Sequence, residues 1–210
     1  MIRRVPVLPT LIVLVAVGIM VRLGFWQLDR LGQKEALLAQ YSANVSNLDL
    51  VDFPVASSRA AALVLYRRSQ ITCRFTSGWE AVAGTNSNGQ SGWAHVVLCD
   101  IAADRTAHVV IGWSNNPARP DWRGGRVSGV ISPGGPAGAR LVADPPLAGL
   151  KAMARPNPAN IPNNHLSYAV QWFLFALTAL VIYVLALRKR LNPPRNGVVP
   201  RRGGGVPPLD

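Results

Sequence analysis

The sequence predicts an α+β membrane protein: two transmembrane helices, one near each end, flanking an outward-facing antiparallel β sandwich or barrel-like domain. Three observations carry this. Two apolar runs, from about Val5 to Trp26 and from Leu166 to Leu187, each approach the ~20 residues that a bilayer requires. Between them, short alternating stretches are separated by turn residues, the pattern of a small sandwich or barrel. Basic residues gather beside the apolar runs, which reports membrane orientation. Six of the 22 basic residues follow Leu187, and Arg3 and Arg4 precede the first run. The net charge of +12 therefore points to membrane lipid rather than nucleic acid as a partner. A length of 210 residues suits one domain plus its membrane segments.

Residues 1–6 read as a short N-terminus and 7–26 as the first transmembrane helix. Pro6 and Pro9 fall in its first turns, where a missing backbone donor is harmless. Arg22 lies near the outer end and can snorkel to the headgroups; Phe25 and Trp26 supply an interfacial anchor. A cleavable signal peptide, with Ala16-Val17-Gly18 as its cleavage site, is the weaker alternative because apolar residues continue past that point. Residues 27–43 keep a helical pattern, with Leu28, Leu31, Leu37 and Leu38 recurring at helical spacing. Residues 44–165 form the β domain. Its expected strands are Tyr66–Phe75, Trp79–Ala83, Trp93–Ile101, Thr106–Trp113, Arg126–Ile131 and Arg140–Val142, the third and fourth forming a hairpin. The Gly/Pro loop from Pro133 to Gly138 lacks the Lys-Ser/Thr of a phosphate loop. Residues 166–187 form the second transmembrane helix, stopped by Arg188-Lys189-Arg190. The Gly, Pro and Arg composition of the rest of 188–210 predicts a disordered tail. With basic residues at both ends, both termini belong to the cytoplasm and the long central domain to the periplasm or its equivalent.

A helix opening at Asn164 places His165, Tyr168, Ala169, Trp172, Ala176, Ala179 and Tyr183 on one face. An ionisable group at a membrane boundary is a functional candidate; the plainer reading is that His165 caps the helix and bonds to water. Gly24 is a candidate for close helix approach against Ala169 or Ala176. Cys73 and Cys99 fall in strands of the outward domain, where the compartment permits a disulfide if the two strands are adjacent; two buried thiols are the alternative. His95 and His108 read as hydrogen-bonded strand histidines, and Trp79, Trp93, Trp113 and Trp122 as core and rim. No nucleophile motif, zinc motif or acid pair stands out, so the sequence does not suggest an enzyme.

Two stretches together resemble the surfeit locus protein family of cytochrome c oxidase assembly factors. Leu23-Gly24-Phe25-Trp26-Gln27-Leu28-Asp29-Arg30 with Lys34 looks like the family's LGxWQLxR signature and its following lysine. Asn164-His165-Leu166-x-Tyr168-Ala169-x-x-Trp172-Phe173-x-x-Ala176 resembles its NHLxYAxxWFxxA signature. Gly92–Val96 and Val109–Trp113 are similar to its central strands. The resemblance covers about residues 10–190. It departs at Ile111, where arginine is usual, at Gln33, at Cys73 (usually glycine) and at Cys99 (usually proline). The resemblance implies haem a handling during maturation of oxidase subunit I, with His165 as the axial iron ligand, Tyr168 and Trp172 shaping the pocket, and subunit I and haem a synthase as partners. Neutral imidazole is a standard iron ligand. Arg22 and Arg30 are candidates for the haem propionates, since guanidinium suits carboxylate. The competing expectation is a haem-free scaffold that docks subunit I through its helices.

Overall fold

The structure, a computed structural model, describes residues 6–55 and 57–192. Its elements in order are α1 (Val7–Ser46), β1 (Leu50–Val51), α2 (Ser58–Val64), β2 (Arg68–Cys73), β3 (Phe75–Thr85), β4 (Ser91–Ala102), β5 (Arg105–Ser114), β6 (Gly125–Pro133), β7 (Ala139–Ala143), a 3-10 turn (Pro158–Asn160) and α3 (His165–Leu191). They divide into two compact units, Met1–Leu31 with Asn164–Asp210, and Gly32–Asn163.

Two helices are long and apolar enough to cross a membrane, which fits a membrane protein. Pro9 falls in the first turn of α1, where no intrahelical donor is lost. One turn earlier, the Pro6 carbonyl accepts both the amide and the hydroxyl of Thr10 (3.1 and 2.7 Å). The expected span and its helical extension form one helix of 40 residues. α3 continues past Leu187 through Arg188, Lys189 and Arg190, because cations at a helix C-terminus offset its dipole. The tail expected to be disordered lies, from residue 193 on, outside the described residues.

The second unit is built on one seven-stranded sheet in the order β1-β2-β6-β7-β5-β4-β3. The sheet is mixed, which corrects the expectation of an antiparallel sandwich. The β4–β5 hairpin is present, but β1 runs parallel to β2 and β5 parallel to β7. The β6–β7 hairpin is inserted between β2 and β5, and this brings β7 alongside β5 in the same direction. The sheet also curls. β2 and β4 stand second and sixth in the order, yet Cys73 and Cys99 form a disulfide with Cα atoms 5.2 Å apart. Beside it the Arg74 amide donates to the Asp100 carbonyl (2.9 Å). The two cysteines thus join strands across the curled sheet, not neighbours in the ladder.

Alternation along β2 sends Ser69, Ile71 and Cys73 inward and Arg68, Gln70 and Thr72 outward. The inner face holds the main core, including Ile71, Cys99, Val109, Val127 and Leu141. Ile111, standing where the resemblance leads one to expect arginine, is 0% exposed in that core; an arginine there would bury its charge. A smaller outer cluster of Ala94, Val96, Val110 and Val142 lies under Met153. The segment read as irregular from Pro145 onward packs on β5, exchanging backbone bonds between Trp113 and Lys151 (2.8 and 2.9 Å). Gly112 permits this, since a Cβ there would sit 2.5 Å from Leu150 Cβ. The sequence gives little sign of α2, whose cap is Ser57 Oγ accepting from the Ala60 amide (3.2 Å). The last turns of α1 belong to this unit: Tyr41 packs on Tyr66 (5.1 Å), and the Asn44 amide donates to the carbonyls of Leu63 and Leu65 (3.1 and 2.9 Å).

His95 on β4 is fully buried and stacks against Trp79, ring centroids 6.2 Å apart. The Ser114 hydroxyl donates to the Asn116 carbonyl (2.6 Å), so the His95 Nε2–H donates to Ser114 Oγ (2.8 Å). Burial pushes the imidazole pKa down, partly offset by the Asn116 carbonyl. His95 is therefore a neutral member of the core.

Two outcomes follow for the full-length protein in detergent. The disulfide spans 26 residues of sequence; replacing both cysteines with alanine should lower the unfolding free energy by about 3–4 kcal/mol. A drop in urea midpoint measures this, and an unchanged midpoint refutes it. For His95, the unfolded chain takes up a proton below about pH 6.5 while the folded one resists it. Stability is therefore full above that pH and declines as pH falls toward the folded value. The His95→Asn protein should show a flatter decline, and an identical pH profile would remove the assignment.

Candidate functional site

The paired helices carry the candidate site. On α1 the least exposed positions between Thr10 and Leu31 include Val13, Val17, Met20, Gly24 and Gln27. On α3 they include His165, Ala169, Trp172, Ala176, Ala179, Tyr183 and Leu187. The α1 series, and the α3 series as far as Tyr183, alternate steps of three and four, a seven-residue repeat that two helices satisfy by crossing at a shallow angle. Small residues at Gly24, Ala169 and Ala176 let the backbones approach. A Cβ on Gly24 would meet the Phe173 ring at 2.6 Å, so Gly24 also makes room for that ring.

Two polar contacts fix the antiparallel register. Near the start of α1, Tyr183 Oη bonds to Thr10 Oγ1; because the Thr10 hydroxyl donates to Pro6 O, Tyr183 is the donor. Near the start of α3, His165 Nδ1 lies 2.8 Å from Gln27 Oε1. Thr10 and Gln27 are seventeen residues apart, about 26 Å along a helix. This is close to the ~30 Å thickness of a hydrocarbon layer, so a pair spanning such a layer would hold one contact near each of its boundaries.

An amide oxygen only accepts, so the Nδ1–H of His165 donates to Gln27. In a neutral ring this leaves the lone pair on Nε2. His165 is half-buried as the first helical residue of α3. Among the described residues no group of three or more His, Cys, Asp or Glu forms a bare-ion site. One imidazole nitrogen suffices, however, for a metal whose other ligands come from a macrocycle.

The aromatic residues sort by side. Phe25 and Phe173 meet edge to face at 5.4 Å on one side of the seam. Helical spacing then puts Leu23, Trp26 and Arg30 of α1, and Tyr168, Trp172 and Phe175 of α3, on the opposite side. Trp172 and Phe175 are in edge contact at 6.1 Å. Tyr168, expected on the same helix face as His165 and Trp172, is 51% exposed on this flank, while the repeat that packs on α1 runs through Ala169 and Trp172. Arg22 is exposed and lines an open apolar depression of about 300 Å³ with Leu23 and Trp26. The Arg30 guanidinium lies over the Trp26 ring at 5.6 Å, a cation–π contact. The two arginines thus bracket Trp26 one turn to either side.

These side chains are of the kinds that could hold a flat, apolar, anionic metallomacrocycle: an imidazole bonded through Nδ1, exposed aromatic side chains on one flank of the helix pair, and guanidinium groups on that pair. Of the residues singled out in the sequence, His165, Trp172, Tyr168, Arg22 and Arg30 all belong to this helix pair. Cys73 and Cys99 belong to the β unit and take no part. Gln27 was overlooked as a site residue. Its signal is a polar amide at a seam position within an otherwise apolar repeat.

Comparison with known proteins gives two findings. A family model described as the SURF1 family matches residues 14–177. A SURF1-like protein of Rickettsia felis (strain ATCC VR-1525 / URRWXCal2) is 24% identical over 226 residues, spanning 87% of this chain and 98% of the relative.

Proposed function

Because the chain belongs to the SURF1 family, we propose that it is a non-enzymatic cytochrome c oxidase assembly factor that holds haem a and assists its insertion into oxidase subunit I. The observation that carries this reading is the His165–Gln27 contact (2.8 Å), which leaves Nε2 of a boundary imidazole as the available donor. On this reading His165 would ligate the iron, Tyr168 and Trp172 would cover the apolar macrocycle, and Arg22 and Arg30 would meet its propionates. Haem a supplies the redox-active iron of the finished oxidase. This chain would ligate it, shield it from water and release it. A carrier benefits from a single strong ligand, because tighter ligation would oppose transfer. Haem a synthase is the proposed donor, subunit I the acceptor, and membrane lipid the surrounding medium.

The proposed setting is a cell membrane, the inner one where there are two, with both termini cytoplasmic and the β unit periplasmic. Arg188, Lys189 and Arg190 in the last turn of α3 support this orientation. So does the Cys73–Cys99 bridge, which suits an oxidising compartment.

A haem-free scaffold that grips nascent subunit I is favoured by one observation: Gly24, Ala169, Phe173 and Ala176 of the two signatures are used in helix packing. One experiment separates the readings. The wild-type protein purified from cells that make haem a should show a haem a absorption spectrum, and His165→Ala should lose most of it. A wild type free of haem from such cells would favour the scaffold.

A further inference from the structure

We infer that Gln27 is a positioning residue for His165: its amide oxygen selects the Nδ1–H tautomer and so presents Nε2 as the ligating atom. The inference rests on the reading of His165 as an iron ligand, but its core is a statement about one proton on this chain.

Gln27 and His165 lie 138 residues apart in sequence and meet only because α1 and α3 pair. The Gln27 backbone is held by α1 at a seam position, so its side chain has little freedom to leave the ring. The contact is short, 2.8 Å, and partly buried, where such a bond competes less with water than on an open surface. Free neutral imidazole in a histidine side chain favours the Nε2–H form. That form would place a proton on the outward nitrogen and remove it as a donor to iron. A neutral hydrogen bond of ordinary net strength shifts a two-state equilibrium by about fivefold, enough to reverse a modest preference. The bond also polarises the ring, since an acceptor on Nδ1–H raises the basicity of Nε2. It fixes the ring plane as well, because Gln27 Oε1 lies on a different helix from the His165 backbone. The opposite amide orientation makes the opposite statement: an NH2 group donating to Nδ1 would force the proton onto Nε2. The two are distinguishable by experiment.

The test uses the full chain in nanodiscs, labelled with 15N-histidine and prepared without haem, at alkaline pH where imidazoles are neutral. Among the three histidines, His165→Ala identifies the relevant resonances. The expected spectrum shows a protonated Nδ1 and an unprotonated Nε2. Gln27→Leu should shift the population about fivefold or more toward Nε2–H. Gln27→Glu, whose carboxylate also accepts, should keep Nδ1–H, a rescue that mere loss of packing would not give. In protein from cells that make haem a, Gln27→Glu should lower the midpoint potential of the His165-dependent haem, and Gln27→Leu should raise it. A wild-type Nε2–H tautomer, or a tautomer unmoved by Gln27→Leu, overturns the inference. The expected tautomer in a protein whose haem spectrum does not depend on His165 overturns the ligand reading instead, and reduces Gln27 to a seam contact.

Discussion

Lipid gives two apolar helices no hydrophobic reason to associate, so the pairing of α1 and α3 rests on close packing and on the polar contacts at the two ends of their seam. Everything proposed about His165 depends on that pairing. Gly24, Ala169 and Ala176 let the backbones come together, and Phe173 seats over Gly24. Thr10–Tyr183 and Gln27–His165 then fix the register. Interhelical bonds of this kind are individually worth about 0.6 kcal/mol on average. Their value here lies in specificity, because a slip by one turn would leave four polar groups facing lipid.

The β unit solves a different problem. Its sheet has seven strands in a mixed order, and curling brings β2 against β4. The disulfide holds that closure covalently. The closure encloses a core in which Ile111 is fully buried. His95 belongs to the same logic. It is buried and bonded through Ser114, a member of the core.

Much of this was legible in the residues. The apolar runs marked both helices because a bilayer demands about 20 such residues, and the alternation from Trp93 to Trp113 marked the β4–β5 hairpin. Other features were hidden for physical reasons. Alternation tells which way a side chain points but not which strand lies beside it, so the parallel β5–β7 pair and the non-adjacent cysteine strands could not be read. α2 is only seven residues long, too short for a periodic signal. The face of α3 was read almost correctly. Tyr168 lies outside the seven-residue repeat that meets α1, which a face drawn on the 3.6-residue wheel does not distinguish. Gln27 stood within the first signature, yet its partner lies 138 residues away, and only the paired helices reveal it.

The central claim is the α1–α3 register, and it is open to a direct measurement. Interpolating between the two end contacts sets Val17 opposite Ala176, while Leu174 faces away and is exposed. In membranes from cells expressing the full chain, cysteines placed at Val17 and Ala176 should cross-link efficiently on oxidation. Cysteines placed at Val17 and Leu174 should not. Equal cross-linking of the two pairs, or none at Val17 and Ala176, would contradict the register and with it the placing of His165 against Gln27.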